Sequence, residues 1–115
     1  MQDTAQLLNK ALAHHQAGRL ADAKTLYTRI LSAQPKHPDA LHFMGLLACQ
    51  IGQSEAGIAL MRESIGAHAS PIYYNNFGNA LRDARRLDDA VAAYRRAVDL
   101  KPDYAEAHNL SLIHI

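Results

Sequence analysis

Asn75, Asn79 and Arg82 follow one another at helical spacing, and Asn109 repeats the residue type further along. A carboxamide carries both donors and an acceptor, which suits it to hydrogen-bonding the backbone of an extended peptide whatever its side chains. The competing use is local, because asparagines also cap or cross-link neighbouring helices. Seven histidines raise the question of metal or proton chemistry. His14 and His15 are adjacent and point to different faces of a helix, while His37, His42, His68, His108 and His114 include no i,i+4 pair with a carboxylate partner. His15 and His42 can approach one another, but two imidazoles fall short of the usual three or four zinc ligands, so no metal site is expected. A single cysteine, Cys49, excludes an internal disulfide framework and reads as a small apolar residue. No phosphate loop, nucleotide-binding glycine run, paired carboxylates or nucleophile with its base occurs, so neither a cofactor nor catalysis is expected.

The elements that position these residues are clearest between Pro71 and Tyr104. Tyr74, Phe77, Gly78 and Leu81 recur at helical spacing, and Leu87, Ala90, Val91, Tyr94, Ala97 and Val98 form a second stripe. The phase breaks at Arg85-Arg86, Asp88 and Asp89 supply first-turn carboxylates for the next helix, and Lys101-Pro102 ends it. Neither helix buries its stripe alone. An antiparallel pair is implied, with Gly78 and Ala90 letting the axes approach under Tyr94.

Copies of this pair lie upstream. Thirty-three residues before Gly78, Leu81, Ala90 and Tyr94 stand Gly45, Ala48, Gly57 and Met61, and thirty-four before those stand Ala11, His14, Ala23 and Tyr27. Gly18 and Gly52 occupy the inter-helix break that Arg85 takes in the third copy. Pro35 and Pro102 terminate the first and third copies. Ala69 replaces the proline in the second, where Ser70-Pro71 then supplies an N-cap followed by proline at the first helical position. The spacing predicts helices over Thr4 to Gln16, Leu20 to Ala33, Pro38 to Gln50, Ser54 to Ala67, Pro71 to Ala84 and Leu87 to Leu100, with a last one starting near Ala105. His14 replaces a packing residue and is expected at the edge of the core.

Tyr74, Phe77, Gly78, Ala90, Tyr94, Ala97 and Pro102, echoed by Leu41, Met44, Gly45, Ala48 and Ile65 in the second copy, resemble the tetratricopeptide repeat (TPR) family. Lys10-Ala11 in the first copy and Gly57, Ser64 and Ala69 in the second depart from that pattern. The resemblance implies an all-α fold, an α-solenoid of antiparallel helix pairs forming a single array of about three and a half repeats (4–37, 38–70, 71–104 and a partial 105–115). It also implies that the first helices line a concave groove. Leu8, Leu12 and His15, then His42, Leu46 and Cys49, then Asn75, Asn79 and Arg82, with Asn109 in the partial repeat, are the expected lining, grading from apolar to amide-rich.

Two functions follow as expectations. The first is a non-catalytic scaffold that binds a peptide or partner segment of a protein in that groove. The alternative is the N-terminal substrate-recognition arm of a longer glycosyltransferase, because the repeats are similar to the TPR arms of O-linked N-acetylglucosamine transferases. The carboxylate clamp of chaperone-binding TPR domains is not expected, since Leu8, Leu12, His42, Leu46, Asn75 and Asn79 fill the places of its cations and Arg82 alone remains.

Charge and hydropathy narrow the partners. Five of the twelve basic residues crowd into Arg82 to Arg96, but Asp83, Asp88, Asp89 and Asp99 interleave with them, and the net charge is +1. Nucleic acid is therefore not an expected partner, because phosphate binding leaves a basic excess. No apolar run approaches the roughly 20 residues needed to cross a bilayer, and the Met1 end is polar, so no membrane partner is expected and a cytoplasmic setting is. The array stops after opening a fourth pair. Val91, Val98, Leu110 and Ile113 are accordingly expected to form an uncapped apolar end that drives self-association.

Overall fold

The computed structural model of the protein describes residues 3–101. Pro102, Asn109 and the whole expected fourth repeat, with Leu110 and Ile113, lie outside the described residues. Within them the chain forms six helices and no strand: α1 (Thr4–Gln16), α2 (Leu20–Ala33), α3 (Pro38–Gln50), α4 (Ser54–Ala67), α5 (Pro71–Asp83) and α6 (Leu87–Leu100). They pack in adjacent pairs, α1 with α2, α3 with α4 and α5 with α6. Five helices match the expected limits; α5 ends one residue early because Ala84 is its C-cap.

Local chemistry explains the boundaries. Asp3 and Gln6 form a reciprocal capping box on α1, with Gln6 N–H donating to Asp3 Oδ1 at 2.8 Å and Asp3 N–H to Gln6 Oε1 at 3.3 Å. Ser70 caps α5 by accepting from Tyr73 N–H at 3.4 Å, and His37 caps α3 by accepting from Ala40 N–H at its Nδ1 at 3.2 Å. Proline follows both caps, where its missing N–H costs nothing.

The three turns inside the pairs share one geometry. Arg19, Gln53 and Arg86 N–H groups donate back to the carbonyls of His14, Ala48 and Leu81 at 2.9, 2.8 and 2.8 Å, closing the first helix of each pair. The residue just before each donor lies at positive φ: Gly18 at 81°, Gly52 at 87° and Arg85 at 66°. A side chain there costs about 1 kcal/mol. Arg85→Gly should therefore raise stability by about 1 kcal/mol, and Gly52→Ala should lower it by a similar amount, both readable in urea unfolding.

Two compact units result, Met1–Ala67 and His68–Ile115. In the first, Ala11, Ala23, Tyr27 and Leu47 make a buried cluster spanning α1, α2 and α3, with Phe43 and Met44 packed against it. Leu7, Ile30 and Ala40 make a second. The two pairs of this unit therefore share a core, as a pair with an uncovered apolar side requires. Ser64, buried on α4, donates to the Pro38 carbonyl at 2.8 Å and ties α4 to the start of α3. In the second unit Phe77, Gly78 and Leu81 of α5 face Ala90, Ala93, Tyr94 and Ala97 of α6.

Glycine sets the closeness of both seams. A Cβ on Gly78 would lie 2.6 Å from Cε1 of Tyr94, and one on Gly45 would lie 2.6 Å from Cγ of Met61. These are the approaches that the repeat spacing anticipates.

Candidate functional site

In the second unit the candidate residues stand on α5. Asn79 is half-buried, and the buried Tyr94 hydroxyl on α6 donates to its Oδ1 at 2.7 Å. Burial raises the Tyr94 pKa above its ordinary value; Arg82 opposes that and Asp83 adds to it. Arg82, half-buried one turn on, points its Nε at Asp83 Oδ1, 3.4 Å away. Arg96 of α6 lies over the Tyr74 ring at 5.6 Å, a cation–π contact that occupies one member of the basic cluster.

Asn75 is not on the open face. It is 1% exposed, and neither amide atom has a hydrogen-bond partner among the described residues. The reason is positional: Asn75 precedes Gly78 by three residues, and residues three apart share a helix face. An unsatisfied buried amide costs roughly 1 to 3 kcal/mol. Leu8 holds the corresponding place in the first repeat, so Asn75→Leu should raise the urea midpoint, with a stability gain of about 2 kcal/mol.

The first unit departs from expectation in the same place. His42, three residues before Gly45, is 0% exposed and meets the Phe43 ring edge-on at 5.1 Å between centroids. Burial pushes its pKa down to about 4, against a smaller upward pull from Asp39. Leu8 packs against both clusters of this unit and serves the core. His42 and Asn75 are thus buried in their respective units, whereas Leu8, Leu12, Leu46, Cys49, Asn79 and Arg82 are half-buried.

His15 is also half-buried, but it is engaged. Its Nδ1 lies 2.8 Å from the Tyr27 hydroxyl on α2, and its Nε2 lies 2.5 Å from Gln50 Oε1 at the end of α3. It does not meet His42, and Gln50 was not anticipated. The only hint in sequence is that Gln50 follows His15 by 35 residues, close to one repeat period. His14 sits at the rim of the core as expected: Arg19 Nε–H donates to its Nδ1 at 2.8 Å, and Asp22 lies 3.9 Å away. Among the described residues no group of three or more His, Cys, Asp or Glu side chains is placed to hold a metal ion. No helix there is long and apolar enough to cross a membrane.

Comparison with known proteins decides the family. A tetratricopeptide-repeat model matches residues 8–71, more than half of the chain, and a second TPR-repeat model matches residues 70–110. The chain belongs to the tetratricopeptide-repeat family. TPR folds also surround it in structure. A mutant O-GlcNAc transferase from Thermobaculum terrenum is 25% identical with a TM-score of 0.81, over 99% of this chain and 23% of that one. MamA from Desulfovibrio magneticus is 23% identical, TM-score 0.84, over 97% and 64%. The first TPR domain of Spaghetti (RPAP3), bound to an HSP90 peptide, is 20% identical, TM-score 0.87, over 96% and 89%. This TPR chain therefore spans under a quarter of the O-GlcNAc transferase. No curated protein sequence matches it. TPR repeats are protein-interaction scaffolds in general, and the α-solenoid of helix pairs expected from the sequence is the fold found.

Proposed function

We propose that this TPR chain is a non-catalytic, cytoplasmic interaction module that binds an extended peptide of a partner protein, with α5 as the contact surface of its second unit. The observation that carries this reading is on α5. Asn79 and Arg82 lie three residues apart, both half-buried: Tyr94 holds the Asn79 oxygen, and among the described residues Arg82 is paired with the adjacent Asp83 at the surface. In the first unit, taken by itself, half-buried Leu12 and Leu46 on α1 and α3 offer apolar contact. A weak to moderate, transient complex suits so small a surface. The peptide-bound RPAP3 domain supports the reading by fold alone.

To test it, dodecapeptides selected from a random display library on the wild-type protein are measured by fluorescence anisotropy against Asn79→Ala/Arg82→Ala. Binding should weaken by about tenfold or more, about 1.4 kcal/mol, while cooperative melting persists. Undiminished binding refutes the assignment.

A second reading is supported by the likeness to the O-GlcNAc transferase, an enzyme of which this chain spans 23%. In it the chain is a substrate-recognition arm, and the catalytic chemistry belongs to sequence beyond residue 115. Glycosyltransferase sequence in the reading frame after Ile115 would support that; its absence would remove it.

A further inference from the structure

Asp88, Ala92, Arg95 and Asp99 of α6 are all solvent-exposed and follow one another at steps of four, three and four residues, which sets them on one line along the helix. Among the described residues, Asp88, Arg95 and Asp99 enter no ion pair. Two other members of the basic cluster are engaged, Arg82 with Asp83 and Arg96 with the Tyr74 ring. The corresponding line on α2 is neutral: Thr25, Thr28 and Ser32 turn their hydroxyls back onto the carbonyls of Ala21, Lys24 and Thr28 at 3.0, 2.8 and 3.0 Å. The charges on α6 are thus a property of the third repeat, and they are left to another molecule.

Their order has a symmetry. Asp88 stands about one turn before Ala92 and Arg95 about one turn after it, so the sign of the charge reverses about Ala92. Two copies laid antiparallel about an axis near Ala92 set Asp88 of each against Arg95 of the other. A parallel alignment would set like charges together. Ala92, the smallest residue on the line, then meets its own copy where the helices come closest. The apolar flank obeys the same symmetry: Leu87 is 52% exposed, Val91 and Val98 are half-buried, and the antiparallel alignment brings Leu87 of one copy to Val98 of the other. Asp99 fits it too. It lies in the last turn of α6, which holds no basic residue and where the helix dipole disfavours a carboxylate, and the alignment carries it towards the other copy's helix start, which has no side-chain cap.

We infer that α6 is a self-association surface, on which two copies of this chain pair antiparallel about a two-fold axis at Ala92 with reciprocal contacts between Asp88 and Arg95. The surface lies wholly within the second unit and is independent of the peptide-binding reading. Such an interface is isologous and closes at two copies. Its exposed ion pairs add little affinity but reject other alignments. One helix of 14 residues, roughly 21 Å long, buries less than a standard interface, so the dimer is weak and forms at high concentration.

Sedimentation equilibrium of the full chain from micromolar to millimolar concentration tests this, with melting curves as the control for folding. The samples are the wild type, Asp88→Lys, Arg95→Glu, an equal mixture of these two variants, and the double variant Asp88→Lys/Arg95→Glu. The wild type should dimerise reversibly. Each single variant meets like charge at both reciprocal contacts and should dimerise about tenfold more weakly. The mixture regains opposite charges at both contacts and should associate far more strongly than either component, which an unfolded variant could not do. The double variant exchanges the two charges within one chain and should dimerise by itself. The inference is overturned if the wild type stays monomeric, if either single variant dimerises like wild type, or if the mixture associates no more strongly than its components. Should a single variant fail to melt cooperatively, a cooperatively melting double variant that stays monomeric overturns the inference, and one that dimerises upholds it.

Discussion

Gly57→Ala should destabilise the protein by about 2 kcal/mol, lowering the melting temperature by roughly 10 °C, even though alanine is the better helix former by about 1 kcal/mol. The cause is the crossing of α3 and α4. A Cβ at Gly57 would lie 2.6 Å from the Gly45 carbonyl oxygen and press on the Cys49 sulfur, and a Cβ at Gly45 would lie 2.9 Å from the Gly57 carbonyl oxygen. The nearest obstacle is a side chain in each case, Met61 Cγ at Gly45 and the Cys49 sulfur at Gly57, but a backbone oxygen within 3 Å stands behind it and cannot turn aside, so the helices themselves must separate, and the contacts of Met61 and Ile58 loosen with them. Gly66 is the control. It lies on the same helix with nothing within 4 Å of its would-be Cβ, so Gly66→Ala should stabilise by about 0.5 kcal/mol. Differential scanning calorimetry of the two variants decides the matter; two stabilising alanines would mean that the seam is not closed at these glycines.

Acid should weaken the fold through His42. Its imidazole has a pKa of about 4 when folded and 6.5 when unfolded, so the unfolded state binds the extra proton between those values. Above pH 6.5 the ring is neutral in both states and no stability is lost on its account. As pH falls from 6.5 towards 4 the unfolded state gains, and the loss reaches about 3 kcal/mol near pH 4. Urea unfolding from pH 7 to 4 measures the slope. His42→Leu places at this position the residue type found at Leu8, and should flatten the pH dependence in that window while raising stability at its acid end. An unchanged slope in that variant would assign the acid sensitivity elsewhere.

Helix limits were legible in the sequence because caps, first-turn carboxylates and helix-ending residues mark them locally: Ser70-Pro71 opens α5 and Gly52 closes the turn after α3. The repeat itself was legible because Gly45 and Gly78 face Met61 and Tyr94, partners a fixed distance away in sequence. The depth of the first-helix faces was not. A helical wheel separates packed from open residues, but His42 and Asn75 lie beside the glycine stripe, where the close seam draws neighbouring side chains into the core. Polarity misled there, since both residue types usually face water. The relay from Tyr27 through His15 to Gln50 was hidden for a different reason: it joins two repeats, and no single repeat contains it.

The central claim is that glycine and tyrosine seams bury the apolar sides of the helix pairs and leave the first-helix faces to receive a partner. Amide chemical-shift mapping of labelled protein, titrated with a library-selected peptide, tests it most directly. Saturable shifts should centre on Asn79 and Arg82 of α5. Shifts centred instead on exposed second-helix residues such as Lys24, Glu63 and Arg95, with the first helices silent, would contradict it.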